Sequence, residues 1–328
     1  MDKPTPMTEQ DDFENEIANS GDVMNDDYAD LTDMESSAAE SEEFMGIINI
    51  PQAGKKEVAD AEDTAVAGKH QDADLTVAYR CSLGAVRQRN EDSCLIFSSS
   101  TGGHFAMMPF GLYIVADGMG GHTNGHVASK TASRVAARYI LEKIYLPLLH
   151  DNGSLNQTPI QEVLVNAVQE ANTAVFQADL DSDSGTTLTI ALVLGRRLHV
   201  AHVGDSRLYL LADEGLQAVT NDHSLVQRLQ DVGQPADDIT FAQIRHVLLR
   251  AVGQIEDVEV DTYMRLLPRK GKLLLCSDGL CGLVSDAAMQ TILEKEISLE
   301  QVTDELTDAA MEAGGYDNIT AIVVNFAF

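Results

Sequence analysis

Leu112-Tyr113-Ile114-Val115-Ala116-Asp117-Gly118-Met119-Gly120-Gly121 is the stretch on which the fold turns. The unbroken apolar run reads as a strand buried on both faces, and the aspartate and glycines after it read as the strand's mouth. A carboxylate at the end of a buried strand is costly unless something offsets its charge. The pattern recurs. Leu273-Leu274-Leu275-Cys276 runs into Ser277-Asp278-Gly279, and Tyr316-Asp317-Asn318 leads into the apolar Ile319–Val324. Asn90-Glu91-Asp92 and Gly204-Asp205-Ser206-Arg207 add further acids beside strand-like runs. Taken singly, each is an ordinary turn or cap. Converging at one end of a sheet, they would repel one another, and hard divalent cations such as Mg2+ or Mn2+ with oxygen ligands resolve that repulsion.

Outward from this stretch, strands are predicted over Leu75–Cys81, Ser93–Phe97, Leu112–Ala116, Thr186–Leu194, Leu198–Val203, Arg207–Leu211, Glu259–Leu266, Lys272–Cys276 and Ile319–Phe326. Helical spacing joins Val127, Thr131, Val135, Ala136 and Ile140, then Ile160 through Val175, then Val302, Leu306, Ala309 and Ala310. Strands come in runs joined by hairpin-length turns, with helices in separate pairs. That order predicts an α+β fold of antiparallel sheets with helices packed outside, not a repeating βαβ alternation.

The 328 residues carry 52 acidic and 22 basic side chains, a formal net charge of −30. Non-specific binding to nucleic acid needs lysine and arginine to displace counterions, so no nucleic-acid partner is expected, and anionic membranes are disfavoured for the same reason. The charge is uneven. Residues 1–74 hold 21 acidic and 4 basic side chains without a sustained apolar period, and they are predicted to be a disordered segment preceding a domain at 75–328. The short apolar run Phe44–Ile50 is either a stray hydrophobic stretch or a segment by which the tail docks an unknown partner. No basic-led apolar leader follows Met1, and no apolar run approaches the roughly 18–20 residues of a membrane span. Cys81, Cys94, Cys276 and Cys281 show neither paired CxxC spacing nor a zinc pattern. They read as reduced, small core hydrophobes, which favours a cytoplasmic location.

Competing motifs fail. Asp179, Asp181 and Asp183 imitate the start of an EF-hand loop, but Ser184 stands where glycine is required and Ile190 where glutamate should close the site. Gly118 to Thr123 lacks the last glycine of a dinucleotide fingerprint, and neither a Gly-x-Ser-x-Gly elbow nor a His-Glu-x-x-His helix is present. His104, His150, His199 and His246 read as surface or packing residues.

In order along the chain stand Arg87-Gln-Arg-Asn-Glu91-Asp92, Asp117-Gly-Met-Gly-Gly-His122-Thr-Asn-Gly125, Ser184-Gly-Thr-Thr187, His202-Val-Gly-Asp205-Ser-Arg207, Asn221-Asp-His223-Ser224, Leu249-Arg-Ala-Val-Gly253, Cys276-Ser-Asp278-Gly-Leu280 and Gly314-Gly-Tyr-Asp317-Asn-Ile-Thr320. Together they resemble the bacterial form of the metal-dependent serine/threonine protein phosphatases of the PP2C (PPM) family, over about residues 75–328. The resemblance implies a four-layer α-β-β-α sandwich with two central antiparallel sheets and a two-metal site at one end. It implies two Mn2+ or Mg2+ ions and a third, weaker one. Asp117 would bridge the metals, with the Gly118 carbonyl on one of them, and Asp278 and Asp317 would complete the other. Glu91 and Asp92 would reach the ions directly or through water, Asp205 would serve the third ion, and Arg87 would grip the substrate phosphate. Arg89 reads as a surface neighbour and His223 as structural. Residues 225–247 occupy the place of the family's flap.

The implied reaction is hydrolysis of phosphoserine and phosphothreonine on proteins by a hydroxide bridging two metals, reversing a bacterial Ser/Thr kinase. The alternative is a catalytically weak scaffold of the same fold acting through its acidic tail. One departure stands out: Met119 follows Asp117-Gly118 where eukaryotic relatives commonly carry the histidine proposed as leaving-group acid. Protonation is then expected from water near Asp205.

Overall fold

The computed structural model describes residues 74–99, 108–120, 124–149, 158–178, 184–234, 244 and 247–328. The acidic stretch 1–73, most of the flap beyond 234, Asp179, Asp181, Asp183, His104, His122, His150 and His246 lie outside the described residues.

Two antiparallel sheets form the centre. The first runs β1 (Asp74–Ser82), β11 (Ile319–Ala327), β10 (Lys270–Cys276), β7 (Arg207–Ala212), β8 (Gly215–Ala218) in spatial order. The second runs β2 (Asp92–Ser99), β3 (Phe110–Met119), β5 (Leu188–Leu194), β6 (Arg197–Val203), β9 (Asp261–Leu266), with the short β4 (Gly185–Thr186) paired to β3. The described helices are α1 (Gly125–Ile140), α2 (Ile160–Ala178), α3 (Leu225–Asp231), α4 (Asp278–Cys281), α5 (Asp286–Leu293) and α6 (Leu299–Glu312), and α1 continues through a π-turn at Leu141–Tyr145 into Leu146–Leu148.

Side-chain alternation along each strand sends successive residues to opposite faces, and this builds three apolar layers. Between the sheets, Tyr113, Val115, Ala191, Val193 and Val200 meet Leu208, Leu273, Leu275, Ile322, Val324 and Phe326. On the outer face of the β3 sheet, Leu112, Ile114, Leu188, Ile190 and Leu192 pack against α1 and α2. Ala128, Ala132 and Ala136 of α1, one turn apart and buried, let that helix lie close to the sheet. On the far side, Tyr209, Leu274, Ala321 and Val323 cover Met289, Leu293, Val302, Leu306 and Ala310 of α5 and α6. The result is the expected α-β-β-α order. Serines start three of the helices: Ser224, Ser285 and Ser298 accept from the backbone N–H of Gln227, Ala288 and Gln301, the last completed as a capping box.

The predicted strands all appear within three residues of their expected limits. Several short elements were not expected, α4 among them, a single turn of four residues. β8 is four residues long, half exposed and paired only with β7, and α5 is too short for its periodicity to stand out. The reading of the cysteines also needs correction. Cys276 is buried, but Cys81 is exposed and Cys94 only half-buried, because β1 and β2 are the edge strands of their sheets. No helix among the described residues is long and apolar enough to cross a membrane.

Candidate metal centre

β3 delivers Asp117 to the open end of the sandwich, directly after the strand's fully buried run at 110–116. Its neighbour β2 begins with Asp92, and the pairing register sets Asp92 directly opposite Asp117. Like charges so placed destabilise a sheet. The other sheet sends Asp278, at the start of α4 just after β10, and Asp317, just before β11, to the same end. Gly204 and Asp205 follow β6. A cavity of about 400 Å³ opens among them, lined by Arg87, Glu91, Asp117, Gly118, Met119, Asp205, Asp278, Asp317 and the flap-root residues Ser224, Val226 and Leu248. Asp92 is the one expected residue that does not line it. A larger groove of about 940 Å³ lies between β2 and α1, but Glu142 is its single acid among apolar and basic residues.

Local hydrogen bonds hold the acids in place. The Asp117 N–H donates to Thr187 Oγ1 at 2.8 Å, while the Thr186 hydroxyl and the Thr187 N–H donate to the Asp117 carbonyl at 2.9 and 2.8 Å. Gly118 is required by space: a Cβ there would lie 2.1 Å from the Gly125 carbonyl oxygen and 2.6 Å from that of Glu91. Asn318, buried beside Asp317, accepts from the Glu91 N–H at 2.8 Å and donates to the carbonyls of Leu83 and Arg89, both at 3.0 Å. It ties the loop bearing Arg87 and Glu91 to the start of β11. The Ser277 hydroxyl donates to Asp92 Oδ2 at 2.8 Å. Thr187, Ser277 and Asn318 stand inside the recognised motifs, yet sequence reasoning assigned them no role, because their partners are 70 to 227 positions away.

The electrostatics are strained. Burial, reinforced by Asp278 and Asp317, pushes Asp92 up to about 7. Burial and the charges of Asp92, Asp278, Asp205 and Asp317 hold Asp117 well above the usual carboxylate range. Burial, with Asp278 and Asp222, raises Asp205 to about 8. The nearby Arg207 does little for Asp205, since its guanidinium is committed to both oxygens of Asp222 at 2.8 Å. Arg87 donates to Asp317 Oδ2 at 2.7 Å and is itself about half exposed at the rim.

As the side chains stand, no three His, Cys, Asp or Glu among the described residues are gathered to close on one cation. Asp317 is turned to Arg87, and Asp92 to Ser277. The donor set nevertheless fits a hard divalent ion. It consists of carboxylates and a glycine carbonyl around one cleft, Asp117 and Asp205 are held above the usual carboxylate range there, and Asp92 Oδ1 is buried without a hydrogen-bond partner. Arg89 lies away from the cleft, its Nη1 3.3 Å from His126 Nδ1. His223 is buried behind it, and its Nδ1 accepts from the Gly204 N–H at 3.1 Å.

Comparison with known proteins gives the same picture. The family model described as protein phosphatase 2C matches residues 85–314. A serine/threonine phosphatase, stp, of Listeria innocua is 36% identical over 247 residues, covering 75% of this chain and 94% of the relative. The serine/threonine protein phosphatase PstP of Mycobacterium tuberculosis is 34% identical over 258 residues, 76% of this chain and 45% of that protein. Among solved structures, the catalytic domain of PstP in complex with two manganese ions aligns with a TM-score of 0.62 at 32% identity, covering 77% of this chain and 99% of that one. Stp1 of Staphylococcus aureus aligns with a TM-score of 0.66 at 28% identity, covering 79% and 98%. With the family model, the relatives and the fold in agreement, this chain belongs to the protein phosphatase 2C family.

Proposed function

We propose that the cleft hydrolyses phosphoserine and phosphothreonine on proteins with the help of Mn2+ or Mg2+. The observation that carries this reading is the gathering of Asp117, Asp205, Asp278 and Asp317 around a cavity with Arg87 at its rim. Asp117, Asp278, Asp317, Glu91 and the Gly118 carbonyl would hold two ions, Asp92 would support them from behind through its unpartnered oxygen, and Asp205 would hold a third. When bound, the ions supply positive charge to the phosphate oxygens and acidify water near neutral pH.

The chain's own residues do the rest. Arg87 presents a planar fork of donors, which suits two oxygens of a phosphate better than the single carboxylate oxygen it meets now. Charge developing on the phosphoryl oxygens is met by that guanidinium in a recessed site. The Thr186 and Thr187 bonds fix the Asp117 backbone, which sets where its carboxylate can reach. No side chain is required as a covalent nucleophile. Met119 in the lining cannot protonate a leaving alkoxide, so that proton comes from water on the Asp205 side of the cleft. Asp205→Ala is expected to slow a phosphoserine peptide much more than an aryl phosphate, whose leaving group needs no proton. Equal losses on both would remove Asp205 from this role.

The test of the whole reading is hydrolysis of an aryl phosphate and a phosphopeptide with and without Mn2+, comparing wild type with Asp278→Ala. Metal-dependent turnover lost in the variant is expected. Metal-independent turnover, or none with any divalent ion, would overturn it. A Ser/Thr kinase is the class of enzyme that supplies such substrates. The acidic segment ahead of residue 75 is read as outside the chemistry and available to a partner.

A further inference from the structure

Outside the cleft, one pair of reactive side chains has no part in the chemistry above. Cys81 on β1 and Cys94 on β2 are 13 positions apart in sequence and lie on edge strands of opposite sheets. Strand alternation puts Cys81 on the face of β1 that carries Leu75 and Val77, and Cys94 on the face of β2 that carries Ile96. Those neighbours pack into the layer between the sheets. Both sulfurs therefore point into the inter-sheet gap at its rim, Cys81 exposed, Cys94 half-buried, with Sγ atoms 3.4 Å apart. A disulfide needs about 2.05 Å, so each sulfur must move by less than about 1 Å. The remaining two cysteines have no exposed member: Cys276 is enclosed in the core, and Cys281 is half-buried, its thiol donating to the Ser277 carbonyl at 3.5 Å.

We propose that Cys81 and Cys94 are a redox-active dithiol, a site for hydroperoxide oxidants, whose oxidation closes a covalent ring around the loop bearing Arg87, Glu91 and Asp92. Cys81, the exposed member, reacts first. Its sulfur attacks one oxygen of hydrogen peroxide, an S–O bond forms, the O–O bond breaks, and the departing hydroxide takes up the thiol proton as water. Cys94 Sγ then attacks the Cys81 sulfur, the S–S bond forms, and the S–O bond breaks with release of a second water carrying the Cys94 proton. Two thiols and one peroxide give one disulfide and two waters, and a dithiol reductant reverses the change. The site stands independently of the activity proposed for the cleft.

The test uses full-length protein, reduced, freed of reductant, treated with hydrogen peroxide, alkylated and digested. The expected result is a peptide pair joined through Cys81 and Cys94, a mass lower by two hydrogens, and recovery of both thiols with dithiothreitol. Cys81→Ser should leave Cys94 alkylated after the same treatment. In Cys94→Ala, Cys81 should stop at a sulfenic acid that dimedone traps. Survival of all four thiols under peroxide that oxidises free cysteine would overturn the proposal. So would a link through Cys276 and Cys281, a link between two chains, or a Cys81 that fails to react with dimedone in folded Cys94→Ala.

Discussion

Asp92 and Asp117 stand directly opposite each other on adjacent strands, and the charge of Asp92 helps hold Asp117 above the usual carboxylate range. Removing one charge should therefore help the fold and harm the site. Asp92→Asn keeps the bond from Ser277 and is expected to raise the metal-free unfolding free energy at pH 8 by roughly 1–3 kcal/mol. The same change should weaken Mn2+ binding about 10–100-fold, as loss of supporting groups does elsewhere. Urea unfolding and calorimetric titration read the two effects. The pH dependence follows from the raised values. Asp92, near 7, and Asp205, near 8, hold protons in the folded state over a range where the unfolded chain, with carboxylates near 4, has lost them. The folded state binds more protons there, so its stability falls as pH rises from about 4 through 8. Unfolding in a chelator from pH 5 to pH 8 should show that decline, and added Mn2+ should flatten it. At this scale the sequence was legible where an acid ended an apolar run, as at Asp117 and Asp278. Ser277 and Asn318 were opaque, because a hydroxyl or amide gains its meaning from the distant group it touches.

The elements meet at two close joints. At the first, the end of β3 presses against the start of α1, leaving no room for a methyl group on Gly118. Gly118→Ala is expected to cost about 1–3 kcal/mol by overpacking, seen as a lower urea midpoint with an unchanged slope. At the second joint, Asn318 braces the Leu83–Glu91 loop with three hydrogen bonds. Asn318→Ala leaves the Glu91 N–H and the Leu83 and Arg89 carbonyls without this partner, at a cost of about 1–3 kcal/mol for each group left unmet by water. It should also raise KM for a phosphopeptide more than it lowers kcat, since the loop bears Arg87. β3, β5 and β11 were readable because both faces are buried, which leaves continuous apolar runs. β8 was not, as its four half-exposed residues carry no pattern, and α5 offers only two turns.

For the molecule as a whole, the charge of −30 separates into a strongly acidic segment and a domain whose most important acids gather around one cleft. Expression of residues 75–328 alone should give a cooperatively unfolding domain that retains metal-dependent aryl-phosphate turnover. Loss of either would move the boundary toward the N-terminus. The two-sheet architecture could be anticipated from strand order and the family resemblance, but neither revealed which edges would face each other, and so the meeting of Cys81 with Cys94 went unseen. One further consequence lies in the thickness of the sandwich. Glu91 and Asp117 ride on one sheet, Asp278 and Asp317 on the other, and the side chains of Tyr113, Val193, Leu275 and Phe326 fill the space between. That filling works as a shim. Its volume sets the gap across which opposing ligands must reach, so a methylene trimmed from the middle of the protein would detune the bite of a site many residues away without touching it.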